Sequence, residues 1–358
     1  MKILIPQTLP YDIGDDKNIT NKMILGGIEK FCKDIEDTVD GVIPVIITKS
    51  QRKARLTRKI IQASILEHEP DMILFNNPWL SNMMLDFGIP LICIMHEPLI
   101  RDVRMINLGE ILKKLNDAGT HLYFVSQSQL DFHRAMAKRI KNVDFGEIKG
   151  FINSSYVSTD NVVSKEYVYD CATVGRNERE KNPFLIHKRL EKSGLSTLVL
   201  TNHAKYNSDA QNKYVENNSK WSSPQHTIYG LPHKEVMSTL SKSRVFCSTW
   251  PKESWGITTL EALSLGIPSI LMCNDNSHAS ENIAADPSHI VKLDVKCSNE
   301  EFENTVRKLM ETSYEKRVEI MEMTKEKHNR ERWKKSIIDI IEKRYDDRNN
   351  RTLINFLS

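Results

Sequence analysis

The chain has 358 residues, of which 40% are hydrophobic and 27% are charged, and its formal net charge at pH 7 is +3. This length suits two domains and the composition is that of a globular protein, but so small a charge identifies no partner. No apolar run approaches the roughly 20 residues that span a bilayer, and the N-terminus lacks the cleavage site of a signal peptide. These features predict a cytoplasmic protein.

The six cysteines are expected to be buried thiols. None belongs to a C-x-x-C pair, and several lie in apolar, strand-like runs such as Leu91–Met95. This pattern favours buried thiols over disulfides or a zinc site.

The first half of the chain alternates short apolar runs with longer amphipathic stretches. We predict buried parallel strands at Lys2–Ile5, Val42–Ile47, Met72–Phe75, Leu91–Met95 and Leu122–Val125. The helices predicted between them are Gly27–Thr38, Arg55–Glu67, Leu108–Ala118 and Gln127–Ile140. The alternation indicates a doubly wound α/β domain.

A polar stretch at Asn153–Lys165 resembles a linker, and the alternation restarts after it. The second set of predicted strands is Val168–Val174, Thr197–Thr201, His226–Tyr229, Arg244–Ser248, Pro268–Met272 and His289–Leu293. The predicted helices are Pro183–Lys192, His233–Ser241, Thr258–Leu265, Glu300–Thr312 and a charged tail at Tyr314–Tyr345.

The predicted elements divide the chain into two α/β domains, residues 1–158 and 159–335. A terminal helix at 336–358 is expected to cross back to the first domain. Two such domains that face each other leave a cleft at the carboxyl ends of their sheets, where ligands bind.

Basic residues are concentrated in one short segment of the first domain. Gln51–Lys59 contains five cations, which are Arg52, Lys53, Arg55, Arg58 and Lys59. A second cluster comprises Arg134, Lys138, Arg139 and Lys141. Both segments can be solvated helix faces, or they can form a basic surface for a phosphate-rich acceptor.

The clearest chemical signal is the segment ESWGITTLE, which begins at Glu253. Gly256 stands at the start of a predicted helix, whose N-terminus offers unpaired N–H groups and a partial positive charge to a phosphate. Thr258 and Thr259 can add hydroxyl donors, and Glu261 lies about one turn into the helix, where it can accept hydrogen bonds from a sugar diol. A structural role would explain Glu253 alone, but not two carboxylates eight positions apart around a glycine.

This segment, with the ALSLGIP that follows it, resembles the E-x7-E motif of the retaining glycosyltransferase family 4, which has the two-domain GT-B fold. The resemblance implies that Glu253 binds hydroxyls of the transferred sugar and that Glu261 holds the ribose of the nucleotide. The backbone from Gly256 to Thr259 would hold the distal phosphate. The implied donor-binding residues are Gly26, Gly27, Arg176, Lys181, Glu253, Trp255, Gly256, Ile257, Thr258 and Glu261.

Other matches follow in the order of that family. Arg176 and Lys181 resemble its G-R…K signature, and two cations near a cleft can neutralise a diphosphate leaving group. Gly26 and Gly27 begin a G-G-x-E element, and His96 matches a histidine near the reacting sugar carbon. The implied catalytic residues are Glu253, His96, Arg176 and Lys181.

Three further residues are weaker matches. Ser126 ends a predicted strand and is expected to be structural. Glu281 resembles a P-E-x-I element, although the usual Gly-Pro before it is absent. Trp333 lies in the charged tail, where packing is its simplest explanation.

No two aspartates stand two positions apart, so the metal-binding D-x-D motif of the other major glycosyltransferase fold is absent. We therefore expect a metal-independent enzyme in which Arg176, Lys181 and the helix N-terminus meet the charge of the departing nucleotide. The resemblance implies retention at the anomeric carbon, with no protein nucleophile, and a UDP-sugar as donor more often than a GDP- or ADP-sugar.

The acceptor is expected to bind mainly to the first domain, where the resemblance is weakest. One candidate is a hydroxyl of a lipid-linked or saccharide acceptor. The other is 5-hydroxymethylpyrimidine in phage DNA, which the basic run favours because a DNA enzyme needs phosphate contacts and an exposed base. A nucleotide-sugar epimerase and a non-catalytic binding module are alternatives from other functional classes.

Overall fold

The computed structural model describes residues 1–8, 27–51, 53–76, 80, 83–96, 102–139, 147–202, 209–223, 225–251, 253, 255–274 and 279–357. They form two compact units. The first contains the described residues up to Tyr156 and the C-terminal residues from Arg330, and the second runs from Val157 to Asn329. The unit boundaries thus lie two and six residues before the positions expected from the sequence.

The first unit contains a six-stranded parallel sheet. Its strands are β1 (Ile3–Thr8), β2 (Val42–Ile47), β3 (Met72–Phe75), β4 (Leu91–Met95), β5 (His121–Phe124) and β6 (Ile148–Phe151). Its helices before the second unit are α1 (Gly27–Glu36), α2 (Ala54–His68), α3 (Asp102–Asp117) and α4 (Gln127–Arg139). The strand order is β2-β1-β3-β4-β5-β6.

The second unit contains another six-stranded parallel sheet. Its strands are β7 (Tyr169–Val174), β8 (Thr197–Thr201), β9 (Thr227–Tyr229), β10 (Ser243–Ser248), β11 (Ser269–Cys273) and β12 (Ile290–Asp294). Its helices are α5 (Leu185–Leu190), α6 (Asp209–Asn217), α7 (His233–Leu240), α8 (Ile257–Ser264), α9 (Asn299–Met310) and α10 (Tyr314–Lys327). The strand order is β12-β11-β10-β7-β8-β9.

Both units are doubly wound α/β structures, and the α/β fold predicted from the alternating sequence pattern is confirmed. Strands β3, β4, β8 and β11 are buried at every position, because helices cover both faces of a parallel sheet and its strands become continuously apolar. All six cysteines are buried thiols outside any disulfide, as the sequence indicated.

The structure corrects three predictions at the level of elements. Strand β6 was missed because its four residues, IKGF, are only partly buried and include a glycine. Helix α6 was missed because its sequence, DAQNKYVEN, is mostly polar. The tail is not one helix, because the chain leaves helical geometry at His328, with φ −116° and ψ 37°, before the terminal helix α11 (Arg330–Leu357) begins.

None of the helices within the described residues combines the length and the apolar character needed to cross a membrane.

Candidate functional site

The predicted donor residues of the second unit follow two neighbouring strands in the middle of its sheet. Strand β7 pairs in parallel with β10, and the chain builds outward in opposite directions from this pair. In open α/β sheets such a reversal opens a crevice beyond the carboxyl ends of the strands, where ligands bind. Arg176 follows β7, and Glu253 follows β10. The fold therefore places the loop of Arg176 and the loop of Glu253, 77 positions apart in the sequence, at the same edge of the sheet.

Gly256 begins helix α8 in a conformation that favours glycine. Its φ of 87° and ψ of 60° lie in the left-handed region, and it occupies the N-cap position without any side-chain cap. The amides of Thr259 and Leu260 donate to the Gly256 carbonyl, at 3.0 and 3.1 Å. The preceding N–H groups of a helix have no partner within it, so this N-terminus can donate to an anion.

Lys181 and Glu253 form an ion pair between the two loops. Lys181 Nζ lies 2.5 Å from Glu253 Oε1, and both side chains are about one-fifth exposed, at 21% and 20%. Lys181 Nζ also lies 4.9 Å from the centre of the Trp250 ring, a cation–π distance. The Thr249 hydroxyl donates to the Lys181 carbonyl at 2.7 Å. The loops after β7 and β10 are thus joined by side-chain and backbone contacts.

Arg176 is the more exposed of the two predicted cations. Its Nη1 lies 3.2 Å from Glu178 Oε1, and its side chain is 51% exposed. The loop around it is held by Gln211 of α6, whose Nε2 donates to the Asn177 carbonyl at 2.8 Å and whose Oε1 accepts from the Arg179 amide at 3.1 Å. A buried glutamine that satisfies one donor and one acceptor of the same loop fixes the loop's path.

Glu261 lies in the second turn of α8 and contacts a residue that the sequence did not single out. Its Oε1 lies 2.7 Å from Nε2 of His233, at the start of α7. The Glu261 side chain is 13% exposed and the His233 side chain is 61% exposed. The imidazole thus holds one carboxylate oxygen at the surface of the unit.

Two side chains near the start of α8 do not face solvent. Trp255 is 4% exposed and Thr259 is fully buried. The Trp255 side chain therefore packs in the interior of the unit. The Thr259 hydroxyl is also enclosed and has no hydrogen-bond partner among the described residues. Trp255 and Thr259 lie on the side of the first turn that faces the core. Ile257 and Thr258 lie between them in the sequence and are partly exposed.

In the first unit, His96 follows β4 and is buried. Its ring centre lies 4.7 Å from that of Phe31, and its Nε2 has no hydrogen-bond partner among the described residues. Burial lowers the pKa of His96 to about 3, so the imidazole is neutral at neutral pH. A neutral imidazole with an unpaired nitrogen can exchange a hydrogen bond with a polar ligand group.

The remaining predicted residues either make structural contacts or lie outside the described part of the chain. Gly26 lies outside the described residues, and Gly27 is the first residue of α1. The Ser126 hydroxyl accepts from the Gln129 amide at 3.2 Å near the start of α4, which is a structural contact. Trp333 donates from Nε1 to the Asn153 carbonyl at 2.8 Å, so it also packs structurally. The side chain of Glu281 is outside the described set.

The basic run lies at the beginning of α2. Lys53, Arg55 and Lys59 are exposed, whereas Arg58 forms an ion pair with Asp86 at 2.9 Å. Arg52 is not among the described residues, and the side chains of Lys138, Arg139 and Lys141 are not described either. Three of the five cations of the run are therefore shown to be accessible.

Comparisons with known proteins agree with this arrangement. Residues 168–327 match the model of the family described as "Glycosyl transferases group 1". The match includes both loops of the site and helix α8, but it covers less than half of the chain. No curated protein sequence matches the chain.

Solved structures show that the whole chain has a GT-B-like fold. A sucrose-phosphate synthase from Thermosynechococcus elongatus matches with a TM-score of 0.73 at 11% identity, over 97% of this chain and 100% of that one. HepE from Anabaena, solved with UDP and glucose, matches with a TM-score of 0.70 at 12% identity, over 96% and 100%. TarM, which occurs in S. aureus, has a TM-score of 0.59 at 12% identity over 81% of this chain, which spans 58% of TarM. At these identities the likeness shows the fold alone.

Three residues of the site were missed in the sequence: Trp250, Gln211 and His233. Trp250 and His233 contact the predicted residues Lys181 and Glu261, and Gln211 contacts Asn177 and Arg179 in the loop of Arg176. The separations of 28 to 69 positions are too long for a local pattern to reveal. The sequence carried one weak signal, the aromatic residue Trp250 just before the acidic loop. His233 had no signal beyond its place at the beginning of a predicted helix, and Gln211 had none because helix α6 was not predicted.

Proposed function

We propose that the chain transfers a sugar from a nucleoside-diphosphate sugar, preferably a UDP-sugar, to a hydroxyl acceptor with retention at the anomeric carbon. One observation carries the proposal: Lys181 and Glu253 form an ion pair between the loops after β7 and β10, at the point where the strand order reverses and close in sequence to the uncapped N-terminus of α8. Arg176 lies in the first of these loops, and Glu261 lies in α8. The group 1 family match supports the reaction class. The HepE structures with UDP and with UDP-glucose support the choice of donor.

Each group has a chemical role in this proposal. The N–H groups of Gly256, Ile257 and Thr258 and the two cations bind the diphosphate, while Glu261 accepts from the ribose hydroxyls. Glu253 accepts from hydroxyls of the sugar. In the first unit, the unpaired nitrogen of His96 is available to a hydroxyl group of a ligand. In the structure, Lys181 is paired with Glu253. This ion pair must separate when the donor binds, so that the Lys181 ammonium can contact the phosphate.

The proposed step breaks the bond between the anomeric carbon and the phosphate oxygen and forms a bond from the acceptor oxygen to that carbon on the same face. The acceptor proton passes to the departing diphosphate, whose growing charge the cations and the helix N-terminus stabilise. Such preorganised electrostatic stabilisation and positioning supply the catalysis, and no side chain of the site is required as a nucleophile.

The decisive experiment follows donor consumption and product mass together. The protein is incubated with UDP-glucose, UDP-N-acetylglucosamine, GDP-mannose and ADP-glucose, each with and without a mixture of hydroxyl acceptors. Acceptor-dependent release of the nucleoside diphosphate supports transfer. Conversion of the donor alone into another sugar nucleotide would indicate an epimerase, and binding without any consumption would indicate a non-catalytic module.

One observation favours 5-hydroxymethylpyrimidine in DNA as the acceptor. Lys53, Arg55 and Lys59 are exposed at the beginning of α2, which contains no acidic residue in its first turn. Cations there can contact phosphates along a duplex, and binding would then weaken steeply as salt rises. A mass gain on hydroxymethylated duplex DNA, absent from plain duplex, would establish this acceptor. A gain only on saccharide or lipid-linked acceptors would remove it.

A further inference from the structure

Ser280 packs against the turn at which α8 begins, on the side of the protein interior. A Cβ on Gly256 would overlap the Ser280 hydroxyl oxygen and lie 3.0 Å from the Ser280 Cβ. The Ser280 hydroxyl donates to the Trp255 carbonyl at 3.1 Å, and Ser280 is fully buried. Ser280 therefore fills the space that any larger residue at position 256 would need, and it holds the peptide that precedes the helix.

The hydrogen bond from Ser280 also sets the direction of the Gly256 N–H. The carbonyl of Trp255 and the N–H of Gly256 belong to one planar trans peptide, in which the two groups point in opposite directions. A serine that draws the carbonyl toward the core thus turns the N–H away from it. This N–H is one of the donors that the proposed function assigns to the diphosphate.

The segment that carries Ser280 is anchored on the end of α10. His328 contributes Nε2, which lies 2.8 Å from the Ile283 carbonyl. The neighbouring Lys327 donates from Nζ to the carbonyls of Asn282 and Ala284, at 2.7 and 2.8 Å. Three successive carbonyls of one short segment are therefore held by two successive side chains.

His328 also contacts the turn directly. Its ring centre lies 5.7 Å from that of Trp255 at an interplanar angle of 75°, an edge-to-face geometry that is favourable for aromatic pairs. Both side chains are almost fully buried, at 3% and 4% exposure. His328 thus supports the turn at Gly256 in two ways: directly through Trp255, and indirectly through the segment that begins at Ser280.

The backbone of His328 ties this support to the places where the chain enters and leaves the second unit. The Val157 amide donates to the His328 carbonyl at 3.0 Å. Val157 is the first residue of the unit after the chain leaves the first, and His328 is the last residue but one. A displacement of the turn at Gly256 can therefore be transmitted through His328 to both chain crossings, that is, to the residues at which the chain enters and leaves the second unit.

We propose that Ser280 and His328 are positioning residues of the donor site, which aim the Gly256 N–H at the diphosphate and link that turn to the two chain crossings. The inference rests on the proposed function, because it assigns the N-terminus of α8 to the phosphates. Neither residue touches the donor. Their substitution is expected to change the affinity for the diphosphate and the rate of hydrogen exchange at the Val157 amide.

The first test compares the binding of a nucleoside diphosphate with that of its nucleoside. UDP, GDP and ADP are titrated into the wild-type chain, and the tightest is used with its own nucleoside in all variants. Ser280→Ala removes one hydrogen bond and is expected to weaken the diphosphate about fivefold, while the affinity for the nucleoside stays unchanged. His328→Leu is expected to weaken the diphosphate about tenfold or more, and His328→Gln, which retains a donor near Ile283, is expected to recover part of the loss.

Matched controls separate this effect from a general loss of stability. Ser269→Ala removes another fully buried serine hydroxyl of the same unit, which donates to the Ile267 carbonyl at 3.3 Å. His289→Gln replaces another buried histidine of the unit, at 1% exposure. Both controls are expected to bind the diphosphate as the wild type does.

Equal diphosphate affinity in wild type, Ser280→Ala and His328→Leu would overturn the inference and leave the proposed function intact. Parallel losses for diphosphate and nucleoside would also overturn it, since they would indicate a purely structural role. If the wild type binds none of the three diphosphates, the proposed function falls, and this inference falls with it.

The second test measures amide hydrogen exchange at Val157. Binding of the diphosphate is expected to slow exchange there in the wild type and in His289→Gln, but to have little effect in His328→Leu. Unchanged exchange at Val157 in a wild-type chain saturated with the diphosphate would show that the turn and the crossings are not linked.

Discussion

The two units share a parallel six-stranded sheet, yet their carboxyl edges carry different chemistry. In the second unit the groups after the central strands are ionised, partly exposed and paired across loops, as Lys181 and Glu253 show. In the first unit the polar residues that follow β3, β4 and β5 are Asn76, His96 and Ser126, which are uncharged at neutral pH and at most 8% exposed. A sheet of this type therefore provides a place for ligands, and the residues that follow its strands decide which ligand.

This comparison also accounts for the roles proposed for each unit. A diphosphate needs cations and N–H donors, and those are found among the described residues that follow β7 and β10. A neutral sugar or a hydroxyl acceptor needs hydrogen-bonding groups without net charge, as at His96. The predictions below test whether the chemistry of the two edges differs in this way, from the largest expected effect to the smallest.

Glu253→Gln is expected to lower kcat by about 10²- to 10³-fold, the magnitude found when one preorganised group at a reacting centre is lost. The control is Glu191→Gln, which disrupts another Lys–Glu pair of the same unit, with Lys220 Nζ 2.7 Å from Glu191 Oε1, outside the site. Steady-state kinetics with the best donor compares the two. Full activity of Glu253→Gln would remove this residue from the site.

Gly256→Ala is expected to lower the free energy of unfolding by about 3 kcal/mol, because left-handed strain adds to the overlap with Ser280. Gly194→Ala provides the matched control. Gly194 also has a positive φ, of 73°, but a Cβ there would meet nothing within 4 Å. Urea unfolding of both variants isolates the contribution of the overlap, and equal losses would contradict it.

Buried histidines are expected to make the protein less stable in mild acid. Burial lowers the pKa of His187 and of His328 to about 4, and that of His96 to about 3. Since the unfolded chain binds protons at its ordinary pKa of about 6.5, the stabilisation is complete above that pH and is lost as the pH falls toward the folded-state value. Between pH 7 and pH 5 each such histidine costs about 2 kcal/mol.

Urea midpoints at pH 7 and pH 5 measure this effect. His187→Gln is expected to reduce the difference between the two midpoints relative to the wild type. A wild-type stability that does not change across this interval would show that these histidines bind protons as readily in the folded state as in the unfolded chain.

His233→Leu is expected to raise KM for the donor about fivefold with little change in kcat, because the imidazole holds the carboxylate assigned to the ribose, which is remote from the bond that breaks. His226→Leu serves as a control, since His226 belongs to the aromatic cluster of His187 and Trp221 instead. An unchanged KM for His233→Leu would show that Glu261 needs no support from α7.

The sequence was sufficient for the α/β fold, and it singled out the charged residues of the candidate site. Apolar runs such as Leu91–Met95 and Ser269–Cys273 are strands because parallel sheets are buried on both faces, and that signal is local. The acidic pair around Gly256 is also local, since it lies on one helix and the loop before it. Local patterns could therefore be interpreted from one sequence.

The supporting contacts could not be predicted in the same way. The environments of Gly256 and Trp255 depend on Ser280 and His328, 24 and 73 positions away from them. The burial of Thr259 was not predicted, because the sequence does not show which face of a short helix is buried. These contacts arise from tertiary packing between distant segments. The periodicity of a single sequence reports only local structure, so it does not reveal them.

The most direct test of the account is the ratio of UDP to uridine affinity in the wild type and in Lys181→Met, measured by calorimetry. The account predicts that the wild type binds UDP at least about 100-fold more tightly than uridine. Loss of the Lys181 ammonium is expected to reduce this ratio by about tenfold or more. Lys188→Met, an exposed lysine on α5, should leave the ratio unchanged. Equal ratios in all three proteins would contradict the assignment of the diphosphate to this site.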